Sequence, residues 1–382
     1  MPQPSDLSEP AGQADGRSGH GGDQHRARRR RPDVARGAVA ASDGVLLVDK
    51  PQGLTSHDVV GAARRLAATR KVGHAGTLDP MATGLLVLGI GRATRFLTYL
   101  VGADKTYEAT IRLGIETTTE DAEGELVSAH GCRADDLPAD RLQEALAGLT
   151  GLIQQVPSAV SAVKVDGVRA YKRVRDGQEV ELEARPVTVH ELRITGEPRQ
   201  MSAGVVAPPS ADLTNVVGMV DVVDLDVVVS CSSGTYVRAL ARDLGRALGC
   251  GAHLTALRRT GVGPFDICEA STLTALSEQV QDDAASTRPR GLTTIPLEEV
   301  ARRCFERLSL TEAEARGLRF GQPLDVTALE RAQAPAGDSP PVTSKEAQGR
   351  RVVAGFAPEG RLVALLTPQG SRARPVLVLD PA

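Results

Sequence analysis

The sequence predicts an α+β fold with a second, smaller β-rich unit toward the C-terminal end. Three observations carry this expectation. Thr106 to Leu113 alternates apolar and polar residues with a period of two, as a half-buried strand does. Between such runs lie stretches with helical spacing, such as Leu142, Leu146 and Leu149 on one side of Leu137 to Leu149. Beyond a polar, Pro-bearing stretch at Gln279 to Arg290, the chain changes to short strand-like runs around a single helix. Long antiparallel-looking strands with helices between them predict a mixed, mainly antiparallel sheet with flanking helices.

Residues 1 to 41 are rich in Gly, Ser, Pro, Asp and Arg and almost free of large apolar side chains. Such a segment buries too little surface to offset its ordering entropy, so 1–41 is expected to be a disordered basic and polar tail. The main domain is then 42–300 and the smaller unit 301–382. Val45 to Val48 reads as a buried strand closed by Asp49-Lys50-Pro51-Gln52-Gly53. Ser56 or Asp58 can cap a helix with Val59, Val60, Ala63, Leu66 and Ala67 on its apolar face. Leu85 to Ile90 is a strand-like apolar run, and Arg92 to Leu100 looks helical. Val156 to Val165 reads as a strand, Ala170 to Arg175 as a short basic helix. Val187 to Thr195 and Val220 to Ser230 read as paired strands, with Met201 to Gly218 a long flexible hairpin loop between them. Thr235 to Leu248 is a helix stopped by Gly249, and Leu254 to Val262 a further strand. Gln279 to Arg290 is expected to be an inter-domain hinge. In the last unit, Thr311 to Leu318 is helical, and Arg351 to Phe356, Leu362 to Leu366 and Val376 to Leu379 are strand-like. Glu330 to Gly349 is low in complexity and expected to be an exposed loop.

Composition narrows the partners. The net charge is −3, so the chain as a whole carries no polyanion-binding signal, and any such surface must be local. Three stretches can supply it: Arg64-Arg65 with Arg70-Lys71, then Lys164 to Arg175, then Arg238 to Arg259. There is no Trp and only four Tyr, so each flat surface on which a base can stack is worth locating. The five cysteines are odd in number, widely spaced and form no CxxC pair, which speaks against a zinc site or a disulfide framework. No apolar run is long enough to cross a membrane, and the N-terminal residues lack a signal-peptide core. A cytoplasmic protein is expected.

One run stands apart: Gly73-His74-Ala75-Gly76-Thr77-Leu78-Asp79-Pro80-Met81-Ala82-Thr83-Gly84-Leu85-Leu86. It sets one carboxylate, Asp79, in a Pro-held turn between Gly-bearing segments, where a bulky ligand can approach the backbone. Asp-Pro by itself is only a common turn starter. The whole run, however, closely resembles the catalytic motif of the TruB family of pseudouridine synthases. The resemblance extends over residues 44 to 265 in family order. It is carried by Val48-Asp49-Lys50-Pro51-Gln52-Gly53, Lys105-Thr106-Tyr107, Pro157 to Lys164, Arg185 to Val189, Gly234-Thr235-Tyr236-Val237-Arg238 and Gly251 to Arg259. It is highly specific, far beyond a lone short pattern.

The resemblance implies a pseudouridine-synthase-like catalytic domain followed by a small PUA-like domain that binds RNA. It implies isomerisation of a uridine in the T arm of tRNA, with the target base flipped out of its stack. Asp79 takes the catalytic role. Tyr107 is expected to stack on the uracil, Arg238 to pair with Asp79, Tyr236 to contact the flipped base and Leu257 to line the pocket. His74 is expected to fill the space the base leaves or to touch the RNA. Further RNA contacts are expected from Lys50, Arg64, Lys71, Lys164 and Arg258. No cofactor and no metal is implied, since breaking the bond from N1 to C1′ and rejoining through C5 involves no redox change. The carboxylate can act at C1′ as nucleophile or base, or add to the pyrimidine ring; the sequence leaves these routes open. The chain departs from the family at Val160, where many members carry a Tyr, and in the extra length of Met201 to Gly218 and of the tail.

No obligatory protein partner is expected, and the chain is expected to be a monomer. Two other readings remain. The catalytic run is also similar to the RNA-guided synthase subunit of archaea and eukaryotes, which depends on guide RNA and partner proteins. A tRNA-folding module with incidental catalysis is the other. Phosphate binding by Gly84 to Gly91 is disfavoured, because the run lacks a Gly-Lys-Ser/Thr ending.

Overall fold

The computed structural model describes residues 32–158, 164–165, 168–169, 182–206, 217–336, 342 and 351–381. The expected helix at Ala170 to Arg175 and the departure at Val160 lie outside the described residues.

Residues 32–41, placed in the expected tail, are bonded to the larger domain, and residues 1–31 lie outside the described residues. Val34 is buried, the Ala35 N–H donates to Ser277 Oγ at 2.8 Å, and the Gly37 and Ala41 N–H groups donate to Arg65 O and Ala67 O. Residues 32–41 carry no apolar side chain larger than Val, but Val34 joins the cluster built on the first helix and the backbone finds partners at that helix's C-terminal end. Composition alone misses that compensation.

Strand β1 (Gly44–Lys50) is buried almost throughout. Helix α1 (Ser56–Leu66) is capped by Thr55, not by Ser56 or Asp58. The Thr55 side chain accepts from the Asp58 N–H, and the Asp58 carboxylate accepts from the Thr55 N–H, which is a capping box. Strands β2 (Val72–Ala75) and β3 (Thr83–Ile90) flank the Asp79 turn. Helix α2 (Ala93–Leu100) leads to β4 (Lys105–Leu113), whose buried positions alternate as expected. Helix α3 (Ala139–Gly148) precedes β5 (Gly151–Gln155); of the strand expected at Val156 to Val165, residues 156–158 are irregular and 164–165 pair instead with 168–169. Then follow β6 (Arg185–Ile194), β7 (Arg199–Val206), β8 (Val217–Cys231), α4 (Val237–Leu248) and β9 (Ala252–Val262). Gly249 ends α4 at φ 77°, the left-handed conformation that a glycine adopts without strain.

These strands join one mixed sheet in the order β1-β3-β9-β4-β8-β6-β5, with β2 beside β3 and β7 beside β8. The β3–β9 pair is parallel and the other pairs among these labelled strands are antiparallel. Residues 201–206, expected in a flexible loop, are paired with 217–222 as a ribbon. Met201 and Met219 are exposed there and none of residues 201–205 is buried, so the strand shows no apolar alternation to reveal it.

The expected hinge is also corrected. Leu273–Ala285 forms helix α5, capped by Thr272, and buries Leu273, Leu276 and Val280 with α1 residues in one cluster. Its outer face is rich in Asp, Gln and Ser, and that polarity mimics a linker. Helix α6 (Leu297–Cys304) leads to the smaller unit. There β10 (Glu306–Ser309), β11 (Val353–Phe356), β12 (Leu362–Gln369) and β13 (Arg372–Val378) form a sheet in chain order, with α7 (Glu312–Arg319) against it. This is the small β-rich unit expected from the sequence. Its Phe305, Val352 and Phe356 share a cluster with Val45, Leu85 and Phe96 of the larger domain. No helix among the described residues is long and apolar enough to cross a membrane.

If α5 is a packed helix, Leu276→Ala opens a void in the core and lowers stability by about 2–4 kcal/mol. Leu152→Ala, at a side chain 76% exposed on β5, shifts it by less than about 0.5 kcal/mol. Urea unfolding of both variants checks the contrast.

Candidate active site

The turn that carries Asp79 connects β2 to β3 and is held almost entirely through its backbone. The Ala82 N–H donates to Asp79 O at 3.2 Å, and the Gly53 N–H to Pro80 O at 2.8 Å. Ser56 Oγ accepts from the Leu78 N–H at 2.9 Å and donates to Leu78 O at 3.1 Å. Ser56 is free to do this because Thr55 caps the helix. Lys50 Nζ donates to Leu54 O at 2.8 Å, Pro51 O at 2.9 Å and Pro80 O at 3.4 Å. Lys50 is wholly buried, so it ties the end of β1 to the turn and presents no charge to RNA, correcting the expected contact. Burial pushes its ammonium down to about 8, partly opposed by the Asp79 carboxylate.

Arg238, in the first turn of α4, meets Asp79 from the opposite side. Its Nη2 and Nε lie 2.9 and 3.0 Å from Asp79 Oδ2. Its Nη1 donates to Thr119 O at 2.7 Å and Ser158 Oγ at 3.0 Å, and Asp121 Oδ2 lies 3.6 Å from its Nε. The sequence suggests a buried carboxylate with an arginine partner. The burial is the other way round: the Arg238 side chain is 4% exposed and that of Asp79 is 39% exposed. A guanidinium can be buried here because carboxylate, carbonyl and hydroxyl acceptors surround it. Behind it, Arg242 bonds Glu120 Oε1 at 2.7 Å and Val156 O at 2.8 Å. Glu120 itself sits at φ 62°, an uncommon left-handed conformation for a non-glycine residue.

Asp79 opens into a cavity of about 270 Å³ whose lining includes Tyr107, Tyr236, Arg238, Leu257 and Arg259. Tyr107 comes from β4, and burial raises its hydroxyl above the ordinary value. Leu257 and Arg259 come from β9. The Tyr236 backbone is bridged by Gln155, whose amide accepts from the N–H at 2.9 Å and donates to the carbonyl at 3.1 Å. The structure thus brings Asp79, Tyr107, Tyr236, Arg238 and Leu257 around one space.

His74 does not line that cavity. It is half-buried on β2 with its ring 5.7 Å from that of exposed His57, and burial followed by the His57 charge favours its neutral form. Arg64 and Lys71 are exposed near one another in sequence, Arg64 also donating to Val72 O at 3.3 Å. Arg258 forks onto Asp49, at 2.8 and 3.1 Å, on the face of β9 opposite Arg259. Lys164 pairs with Arg169 in a short two-stranded ladder.

Arg259, Lys105 and Asp121 belong to the site but were not singled out by sequence. A signal existed for the first two. On a strand, residues two apart share a face, so Leu257 points to Arg259 and Tyr107 points to Lys105. Both cations do line the cavity.

The Lys50 environment makes a pH prediction. Unfolded, the side chain holds its proton up to its ordinary value of 10.5; folded, it releases it near 8. In that window the unfolded state binds more protons, so stability from this group rises with pH. Wild type should therefore gain about 1–2 kcal/mol relative to Lys50→Met between about pH 7.5 and pH 9.5. Urea unfolding at the two pH values measures it, and a constant difference would contradict the buried-lysine assignment.

Comparison with known proteins now bears on this geometry. Residues 64–237 match the TruB family pseudouridylate synthase N-terminal domain. Residues 238–300 match the tRNA pseudouridylate synthase B C-terminal domain, and 341–380 the C-terminal part of tRNA pseudouridine synthase II. The tRNA pseudouridine synthase B of Arthrobacter sp. (strain FB24) is 51% identical over 339 residues, covering 89% of this chain and 97% of that protein. The enzyme of that name from Mycobacterium leprae (strain TN) is 45% identical, over 88% of this chain and 91% of that one. Among solved structures, a Cbf5-Nop10-Gar1 complex matches with TM-score 0.60 and 24% identity, over 88% of this chain and 85% of that chain. An H/ACA RNP bound to a substrate RNA containing 2′-deoxyuridine matches with TM-score 0.57 and 22% identity, over the same shares. These two show a common fold. With relatives this similar over nearly their whole length, the chain belongs to the TruB family of pseudouridine synthases.

Proposed function

We propose that this chain isomerises uridine to pseudouridine in the T arm of tRNA, in the cytoplasm, with Asp79 as nucleophile toward a flipped-out base. The observation that carries the reading is the Asp79 carboxylate at the cavity edge, gripped through Oδ2 by buried Arg238, with the Tyr107 ring and Leu257 lining the same space. The relatives' name, tRNA pseudouridine synthase B, supports the choice of RNA.

The chemistry follows from these parts. A uridine inside a folded RNA must leave its stack to reach the cavity. There the uracil has an aromatic face in Tyr107 and an apolar wall in Leu257. The Asp79 oxygen attacks C1′ as the N1–C1′ bond breaks, and the electron pair leaves with the base. The base turns, C5 bonds to C1′ as the carboxylate departs, C5 loses its proton and N1 gains one. Atoms and electrons balance within the substrate. Arg238 aims the carboxylate and limits its freedom, so the attacking oxygen is prepositioned. RNA is held by local cations, Arg64 and Lys71 among them, despite the acidic chain. The same reading has a stand-alone monomer requiring no protein partner.

The test is single-turnover pseudouridine formation in unmodified tRNA transcript by the purified chain. Wild type should act on the T-arm uridine without guide RNA. Asp79→Asn should slow the reaction by roughly 10⁴-fold or more while RNA affinity stays within about threefold. Equal loss of binding and turnover would contradict a chemical role for Asp79. Affinity should fall steeply between about 50 and 200 mM salt; a flat response would rule out the cationic surface. Activity that appears only with added guide RNA would favour the RNA-guided reading instead.

A further inference from the structure

The cavity contains a cation whose position no step above explains. Arg259 is 1% exposed, and among the described residues no carboxylate lies within ion-pair distance of it. Its Nε donates to Leu85 O at 2.8 Å, its Nη2 to Gly76 O at 3.2 Å and its Nη1 to Thr77 O at 3.4 Å. These carbonyls lie on both sides of Asp79. In the sheet register Arg259 stands opposite Gly84 on β3 and opposite Tyr107 on β4. It therefore lies between the strand leaving the Asp79 turn and the strand carrying the aromatic ring. The two side chains line the same cavity, and Arg259 partly offsets the upward push of burial on the Tyr107 hydroxyl.

Two glycines of the Asp79 run lie against this residue, Gly84 against its backbone and Gly76 against its guanidinium. A Cβ at Gly84, which sits at φ +100°, would fall 2.3 Å from Arg259 O. A Cβ at Gly76, at φ +90°, would meet Arg259 Nη1 at 3.4 Å. A bulge follows immediately, since the β9–β4 register shifts between Arg259 and Gly261. Bulges next to active sites re-aim a side chain. A buried guanidinium held by carbonyls without an ion-pair carboxylate is an expensive group to keep, and such groups cluster at functional sites.

We propose that Arg259 is a positioning residue that locks the Tyr107 ring and hydroxyl to the backbone of the Asp79 turn, so that stacking surface and carboxylate move as one unit. The inference deepens the reading of this cavity as a uridine site and rests on it only for its activity arm. Through Arg259, the base that stacks on Tyr107 is placed relative to Asp79 without any direct bond between the two side chains. Arg238 aims the carboxylate from the helix side; Arg259 aligns the turn and the ring from the sheet side.

The experiment has two arms. In the first, NMR of ring-labelled tyrosines follows the free protein, with Tyr107→Phe identifying the Tyr107 signal. Arg259→Lys should move that signal and leave the other three in place; an unmoved signal overturns the proposal. In the second arm, Arg259→Lys, Tyr107→Phe and the double variant are compared in single-turnover pseudouridine formation on tRNA transcript. Arg259→Lys should slow the reaction by roughly 100-fold with tRNA affinity within about twofold. The double variant should be no slower than about the worse single variant, because both act through one contact. Losses that multiply overturn the proposal, as does a rate that falls only in step with the melting temperature. Wild type inactive on the transcript would count against the function, while the NMR arm still decides the place of Arg259.

Discussion

Everything at this site depends on a buried guanidinium that holds an exposed carboxylate. Arg238 is taken out of water by α4, the 119–121 segment and Ser158, and Asp79 is the acceptor it offers to the cavity. A carboxylate sunk in the core would be unreachable for an RNA base. A carboxylate loose on the surface would sample many directions. Burying the partner in place of the acid resolves that conflict, because Thr119 O and Ser158 Oγ hold the arginine's Nη1 while its Nε and Nη2 face Asp79.

The same logic extends to the turn. Tight turns expose backbone carbonyls, and buried ones need donors. Two cations supply them here, Lys50 at Pro80 and Arg259 at Gly76, Thr77 and Leu85. Neutral donors would satisfy those carbonyls at lower desolvation cost. Cations leave a positive field around the cavity, which suits the proposed reaction, in which an electron pair departs with the base. A chain of net charge −3 can thus present cations at this cavity.

Strand β4 and helix α1 were legible because each has one buried face with the right period, and β1 and β3 because each is a short continuous apolar run. The family was legible because fourteen consecutive residues form one recognisable run. What escaped did so for identifiable reasons. Helix α5 shows water a face of Asp, Gln and Ser, and none of residues 199–205 is buried. Residues 32–41 are held by backbone bonds that composition does not register. Lys50 looked like an RNA contact because a lysine in a turn usually points outward. Its burial follows from three carbonyls converging after the chain reverses at Pro51. Arg259 was hidden inside a basic pair; only the two-residue strand period separates it from outward-facing Arg258.

Strand β3 shows why the smaller unit is more than an appendage. Its residues alternate between two clusters: Leu85 and Val87 face one that includes Phe305, Val352 and Phe356 of the C-terminal unit, while Leu86, Leu88 and Ile90 face the one built on α1 and α5. A strand buried on both faces cannot slide by one residue without reversing every side chain. The Asp79 turn emerges directly from this strand, at Thr83 and Gly84. Packing from the C-terminal unit thus fixes the register of β3 from one side, and α1 and α5 fix it from the other. The position of the carboxylate is inherited from that register, which is why a run of ordinary apolar residues follows the Asp79 turn without interruption.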